Sequence, residues 1–242
     1  MMTGFVKTDF TIGRKDVELG VLQPAPATPV RGKITVQDAR AEDALPEGTV
    51  QDARAEDALP EGIELYLGRH GRPLYNGEAT GVSVKGSGEF ELPNAFPDEY
   101  ALALKGLPQG YYLREAAQDG RDIRRGPIRG GGGELRIVLA SDGATIGGSV
   151  VDKEQRPLPD MPVFLLPKTG DEVFSGQSDL SGRFRFSTGV APGEYRIFAL
   201  SGVLDGEELD DDFLRLNAAG AVEVVVAARS SRMVVVEVRA VR

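Results

Sequence analysis

Residues 182–199 read GRFRFSTGVAPGEYRIFA, and residues 88–104 read GEFELPNAFPDEYALAL. Both pass from Gly into alternating residues, through Pro-Gly or Pro-Asp, and into Glu-Tyr and a second run. Alternation puts every second side chain on one face, the pattern of a half-buried strand and not of a helix. The repetition predicts one β-hairpin built twice, and so two copies of one small β-domain in tandem. A chain of 242 residues has room for two such units. Roughly 100–120 residues each suffices for a core without staples. The expected division is a remnant strand and linker over 1–27, one domain over 28–140 and a second over 141–242.

The expected fold class is all-β, two tandem seven-stranded Greek-key sandwiches. In the second domain strands are expected over 145–152, 161–166, 172–178, 183–186, 194–200, 222–228 and 232–241. Phe184 and Phe186 point inward and Arg183 and Arg185 outward. In the last strand Val234, Val236 and Val238 share one face, with Glu237 and Arg239 on the other. One short helix is expected from Asp210, where acids lie near the positive end of the helix dipole and Gly220 supplies the stop. Helix capping accounts for the acids over 205–212; the alternative is a metal site. In the first domain strands are expected over 30–37, 63–69, 81–85, 89–92, 99–105, 111–115 and 134–140. Gly130 to Gly133 read as a flexible run, not a phosphate loop, because no Lys-Ser/Thr and no helix follow. The junction text also repeats (ELRIVLASDGATIGGSV at 134–150, ELGVLQPAPATPVRGKI at 18–34). By that analogy 16–22 ends a further domain lying upstream.

Residues 35–48 and 49–62 both read TVQDARAEDALPEG. Deleting either copy leaves strand, turn, strand, so the second is an insertion at a connection, where added length costs little. Either Thr-Val-Gln could complete the first strand; the first copy is expected to do so. The segment holds −6 of the net charge of −9, and its acids lack the spacing of a calcium loop.

Cysteine is absent, which excludes thiolate catalysis, thiolate zinc sites and disulfides. The start, MMTGFVKTDFTIG, has no apolar core of a signal peptide, and no apolar run nears the roughly 18 residues of a membrane span. A soluble chain is expected. No basic stripe with interleaved aromatics points to nucleic acid.

At GGSVVDKEQRPLPDMPVFLLP, SDLSGRFRF and APGEYRIFA the chain resembles the carboxypeptidase regulatory-like domain. This is a prealbumin-like, transthyretin-like sandwich of the carbohydrate-binding-like fold group. The resemblance covers 141–242 well and 28–140 more loosely, since Asp98 stands where Pro-Gly is usual. It implies a structural, adhesive or docking module of a bacterial envelope or secreted multidomain protein, although the residues themselves leave the compartment unknown. Enzymes on related sandwiches use more than one histidine, whereas this chain has only His70, in the turn GRHGR. No Gly-x-Ser-x-Gly elbow or zinc-peptidase motif is present, so neither enzyme nor cofactor is expected. Collagen-adhesin B-type repeats have a similar sandwich with a Lys–Asn isopeptide bond. Lys33 is suitably placed, but the closing strands contain no Asn.

Two sets of residues are candidates for binding. Tyr75, Tyr111 and Tyr112 would be a stacking platform if the chain is a carbohydrate-binding module, with a polysaccharide partner. Otherwise they are half-buried strand residues. Arg183 and Arg185, against Glu89 and Glu91 on the equivalent strand of the first domain, would be docking faces for a protein partner. Otherwise they are ordinary solvated positions.

Overall fold

The computed structural model describes residues 23–37, 59–69, 80–124, 126–169, 173–203 and 211–241. These separate into two compact units. One holds the residues up to 107 together with 113–139, and the other holds 108–112 together with the residues from 140 onward.

The first unit contains β1 (Thr28–Gln37), β2 (Glu64–Arg69), β3 (Thr80–Ser83), β4 (Glu89–Ala95), β5 (Glu99–Lys105), β6 (Tyr112–Gln118), β7 (Arg121–Asp122), β8 (Ile128–Arg129) and β9 (Leu135–Ala140). One sheet has the order β4-β1-β9-β6-β7 and the other β3-β2-β5-β8. The seven expected strands are joined by β7 and β8, each two residues long and so too short for alternation to show in the sequence. Thr35 to Gln37 of the first repeat copy complete β1. The remainder of the duplication up to residue 58 lies outside the described residues, as do 1–22.

The second unit contains β10 (Thr145–Val151), β11 (Pro162–Pro167), β12 (Phe174–Gln177), β13 (Arg183–Phe186), β14 (Gly193–Ser201), α1 (Asp211–Asn217), β15 (Val222–Val226) and β16 (Ser231–Ala240). The strands run β12-β11-β14-β16-β10-β13, with β15 on β14. The last strand serves both faces of the sandwich. Ser231 to Glu237 pair in parallel with Thr145 to Val151, and Val238 to Ala240 pair in parallel with Ala199 to Ser201. Between the faces Ile146, Val150, Val163, Leu165, Phe184, Phe186, Tyr195, Ile197 and Val236 form one buried cluster. Each large apolar side chain removed from water here contributes about 1.5–3 kcal/mol.

The expected hairpins are not hairpins. β13 pairs with β10, and β14 with β11, β15 and β16. Likewise β4 pairs with β1, and β5 with β2 and β8. The Pro-containing loops are arches from one sheet to the other. The reason is burial. Phe184 and Phe186 before the loop, and Tyr195 and Ile197 after it, enter the same core. Val190 in the loop is itself buried, at 1% exposure. Strands that fill one core from opposite sides pack face to face and cannot share a ladder.

A second layer lies outside β11 and β14. Phe164, Phe198 and Leu200 alternate with the inward residues, and Leu214 and Ala218 of the helical segment cover them. The Phe164 and Phe198 rings stack at 5.4 Å. Strands buried on both faces are apolar at every position, as FLL and IFAL are here. Gly220, at φ +76°, follows the helix end. The acids over 204–210 lie outside the described residues.

The glycine run is tightly held, a correction to the flexible reading. Gln118, 5% exposed, donates to the carbonyls of Arg129 and Gly133 and accepts from the Arg129 N–H. The Gly133 N–H donates to Asp119. A Cβ at Gly130 would strike the Phe96 carbonyl. Glycine is needed here for close approach.

Candidate functional site

Among the described residues, the outer side of β13, β10 and β16 combines charge that has no ionic partner with exposed apolar surface. Its geometry begins at the turn before β13. One Asp179 carboxylate oxygen accepts from the backbone N–H groups of Ser181 and Arg183, each at 2.8 Å. Gly182 occupies the left-handed region at φ +75°. A Cβ there would stand 2.8 Å from the Pro157 side chain. This turn fixes where β13 starts, and alternation then sends Phe184 and Phe186 inward and Arg183 and Arg185 out.

Across the sheet the register makes two rows. Arg185 lies opposite Gly147, which lies beside Met233. Arg183 lies opposite Ser149, which lies beside Val235. Met233 and Val235 are 74% and 58% exposed. The arginines, the small β10 residues and Met233 line a trough of about 390 Å³. Among the described residues neither guanidinium has an ionic partner.

The first unit repeats this register with other chemistry. Glu91 lies opposite Arg31 and Glu89 opposite Lys33. The Arg31 Nε donates to Glu91 at 2.8 Å. Glu89 and Glu91 therefore face cations within their own sheet, whereas Arg183 and Arg185 face a glycine and a serine. The spacing of charges was readable in sequence; the partners were not, because they come from a strand far away in the chain.

The tyrosines do not assemble into a platform among the described residues. Tyr112 is buried at 8% exposure. Tyr111 is half-buried, and its carbonyl accepts from Gly189 at 2.8 Å. Tyr75 and His70 lie outside the described residues. An aromatic that the sequence reading passed over, Tyr66, lies against Gly81 with the Lys105 ammonium 4.7 Å from its ring centre. Its hydroxyl donates to Glu64, and that bond holds the phenol pKa above its usual value.

Other charged groups form small pairs. Arg156 donates its backbone N–H and its Nε to Asp152, at 2.8 and 2.7 Å, and the backbone bond leads in lowering that carboxyl's pKa. Lys168 sits 2.8 Å from Glu194 and 3.5 Å from Glu223; the Glu194 bond raises the lysine pKa and lowers that of Glu194. Asp142 is buried, and its Oδ1 has no hydrogen-bond partner among the described residues. Among the described residues no group of three His, Cys, Asp or Glu side chains gathers as a metal site, and no helix is long and apolar enough to cross a membrane.

No family model and no curated protein matches the sequence. Solved structures to which the chain is similar include the Bacillus anthracis TIE protein, at 16% identity and a TM-score of 0.30, covering 86% of this chain and 34% of that one. A second is GBS52, the minor pilin of the Gram-positive pathogen Streptococcus agalactiae, at 14% identity and a TM-score of 0.33, covering 85% and 94%. A third is BcpA, the major pilin subunit of Bacillus cereus, at 15% identity and a TM-score of 0.30, covering 72% and 58%. The chain thus spans about a third of the length of the Bacillus anthracis protein.

Proposed function

We propose that the chain is a non-catalytic structural module, whose β-sandwiches space or present neighbouring parts of a bacterial surface or secreted protein. The observation that carries this is the parallel pairing of the first and last strands of the second unit, from Thr145↔Ser231 to Val151↔Glu237. The chain enters β10 at one end of this ladder and leaves β16 past the other. Tension applied through the two ends therefore runs along the strands and loads the seven registered pairs together. An antiparallel terminal pair would instead open one bond at a time. Such a module resists extension through its unfolding rate, the quantity that governs forced unfolding.

The finer assignment, a carboxypeptidase regulatory-like domain over 141–242, is supported by what its motif residues do. Gly148 packs against the Val234 carbonyl, Asp179 and Gly182 build the turn, and Tyr195 fills the core. The envelope or secreted setting is what that resemblance implies. Pulling the full chain by its ends tests the spacer reading. A discrete unfolding event accounting for the second unit is expected. Smooth extension without such an event contradicts it.

A further inference from the structure

We infer that the trough on the outer face of β13, β10 and β16 is a docking site for an extended acidic polypeptide segment, with carboxylates set on Arg183 and Arg185 and aliphatic side chains on Met233 and Val235. This is independent of the spacer role.

The first support is the comparison within the chain. The two units place equivalent strands in the same register, and in the first the outward charges are matched across the sheet, Glu91 with Arg31 and Glu89 with Lys33. In the second the residues opposite the arginines are Gly147 and Ser149. Asp179, which also borders the trough, has one carboxylate oxygen engaged by two backbone N–H groups and forms no ion pair with either arginine among the described residues. Glu237 lies one row further along, opposite Val151. Within the trough lining, the charges left without any partner among the described residues are those of the two arginines.

The second support is shape and apolarity. Gly147 and Ser149 leave the middle of the sheet low, and the Met233 thioether leans over the glycine, 3.2 Å from where a Cβ would stand. The far wall is then Met233; Val235, also largely exposed, stands beside Ser149 just past the lining. A trough of about 390 Å³ takes a few side chains. One cationic wall and one aliphatic wall suit a segment that carries carboxylates beside aliphatic groups. Arg183 and Arg185 are two residues apart on a strand, about 6.6 Å, which is also the spacing of carboxylates two apart on an extended chain. Guanidinium groups bind carboxylates in a bidentate fork. A sugar polymer is disfavoured because the single aromatic of the lining, Phe184, points into the core at 6% exposure.

The test is fluorescence anisotropy of the full chain with a labelled peptide, Gly-Ser-Glu-Val-Glu-Val-Glu-Ser-Gly. Two control peptides have Lys for every Glu, or Ser for every Val. Saturable binding of the first peptide is expected, weakening as salt rises. R183Q together with R185Q should weaken it at least tenfold, and M233S with V235S several-fold. All four positions are on the surface, and unchanged circular dichroism shows the variants folded. Three results would each overturn the inference. They are no saturable binding up to millimolar peptide, binding indifferent to the arginine changes, and equal binding of the Ser control or of polygalacturonate, which marks a general polyanion patch.

Discussion

The Tyr195 hydroxyl donates to the backbone carbonyl of Ala191 at 2.7 Å. Tyr100 makes the equivalent bond in the first unit, to the Phe96 carbonyl at 3.2 Å. In both units the tyrosine of the repeated Glu-Tyr reaches back four residues and ties down the arch that carries the chain from one sheet to the other. The recurrence of this dipeptide thus reflects a fastening of the arch, with the ring in the core and the hydroxyl at the loop.

Tyr195→Phe keeps the ring and removes that bond. It should destabilise the second unit by about 1 kcal/mol, read as a lower denaturant midpoint at unchanged slope. Tyr100→Phe should cost less, because Tyr100 is more exposed.

Leu214 of α1 covers Phe164 and Phe198 on the outer side of the sheet. Leu214→Ala should cost about 2–5 kcal/mol. It should also raise binding of a hydrophobic dye, because it uncovers a stacked aromatic pair. Leu216→Ala, two residues along and so on the opposite side of the helix, 56% exposed, should leave both readings near wild type.

Gly182 combines a left-handed backbone with a neighbour at 2.8 Å. Gly182→Ala should therefore destabilise by at least about 1 kcal/mol. Gly62→Ala is the control: its φ is +81° but no atom lies within 4 Å of the new methyl. Thermal unfolding should rank Gly182→Ala as the more damaging.

Acid should weaken the second unit. The carboxyls of Asp152 and Glu194 have lowered folded-state pKa values, through the Arg156 backbone bond and the Lys168 ammonium respectively. Their contribution is full above the unfolded carboxylate pKa and is lost as pH falls through the folded one. Lys168, raised by Glu194, contributes fully below its unfolded pKa and loses this as pH rises through the folded value. Melting temperatures of wild type and of Glu194→Gln with Asp152→Asn should converge in acid and separate toward neutral pH.

Much of the fold was legible because alternation survives in single strands. Phe184 and Phe186, Val30 and Ile34, and the helix ending before Gly220 all follow from local pattern. Pairing was not legible. Whether β13 bonds to β14 or to β10 depends on which side of the core each strand fills, and no local periodicity states that. The outer layer was readable in principle, since FLL and IFAL leave no polar face, but the strand pattern alone does not say what covers it. The candidate face was half legible: Arg183 and Arg185 stand out, and grouping Val234, Val236 and Val238 on one face leaves Met233 and Val235 on the other, but that β16 lies beside β10 and so brings them to the arginines is a matter of pairing.

The most direct measurement is the direction dependence of mechanical unfolding. The chain has no cysteine, so introduced thiols are unique handles. Thr145→Cys with Ala240→Cys loads the β10–β16 ladder along its length, and Thr145→Cys with Ser231→Cys pulls the two strand starts apart. The account predicts a markedly higher unfolding force for the first pair at the same loading rate. Equal forces, or a higher force for the second pair, would contradict the claim that this ladder makes the module a tension-resisting spacer.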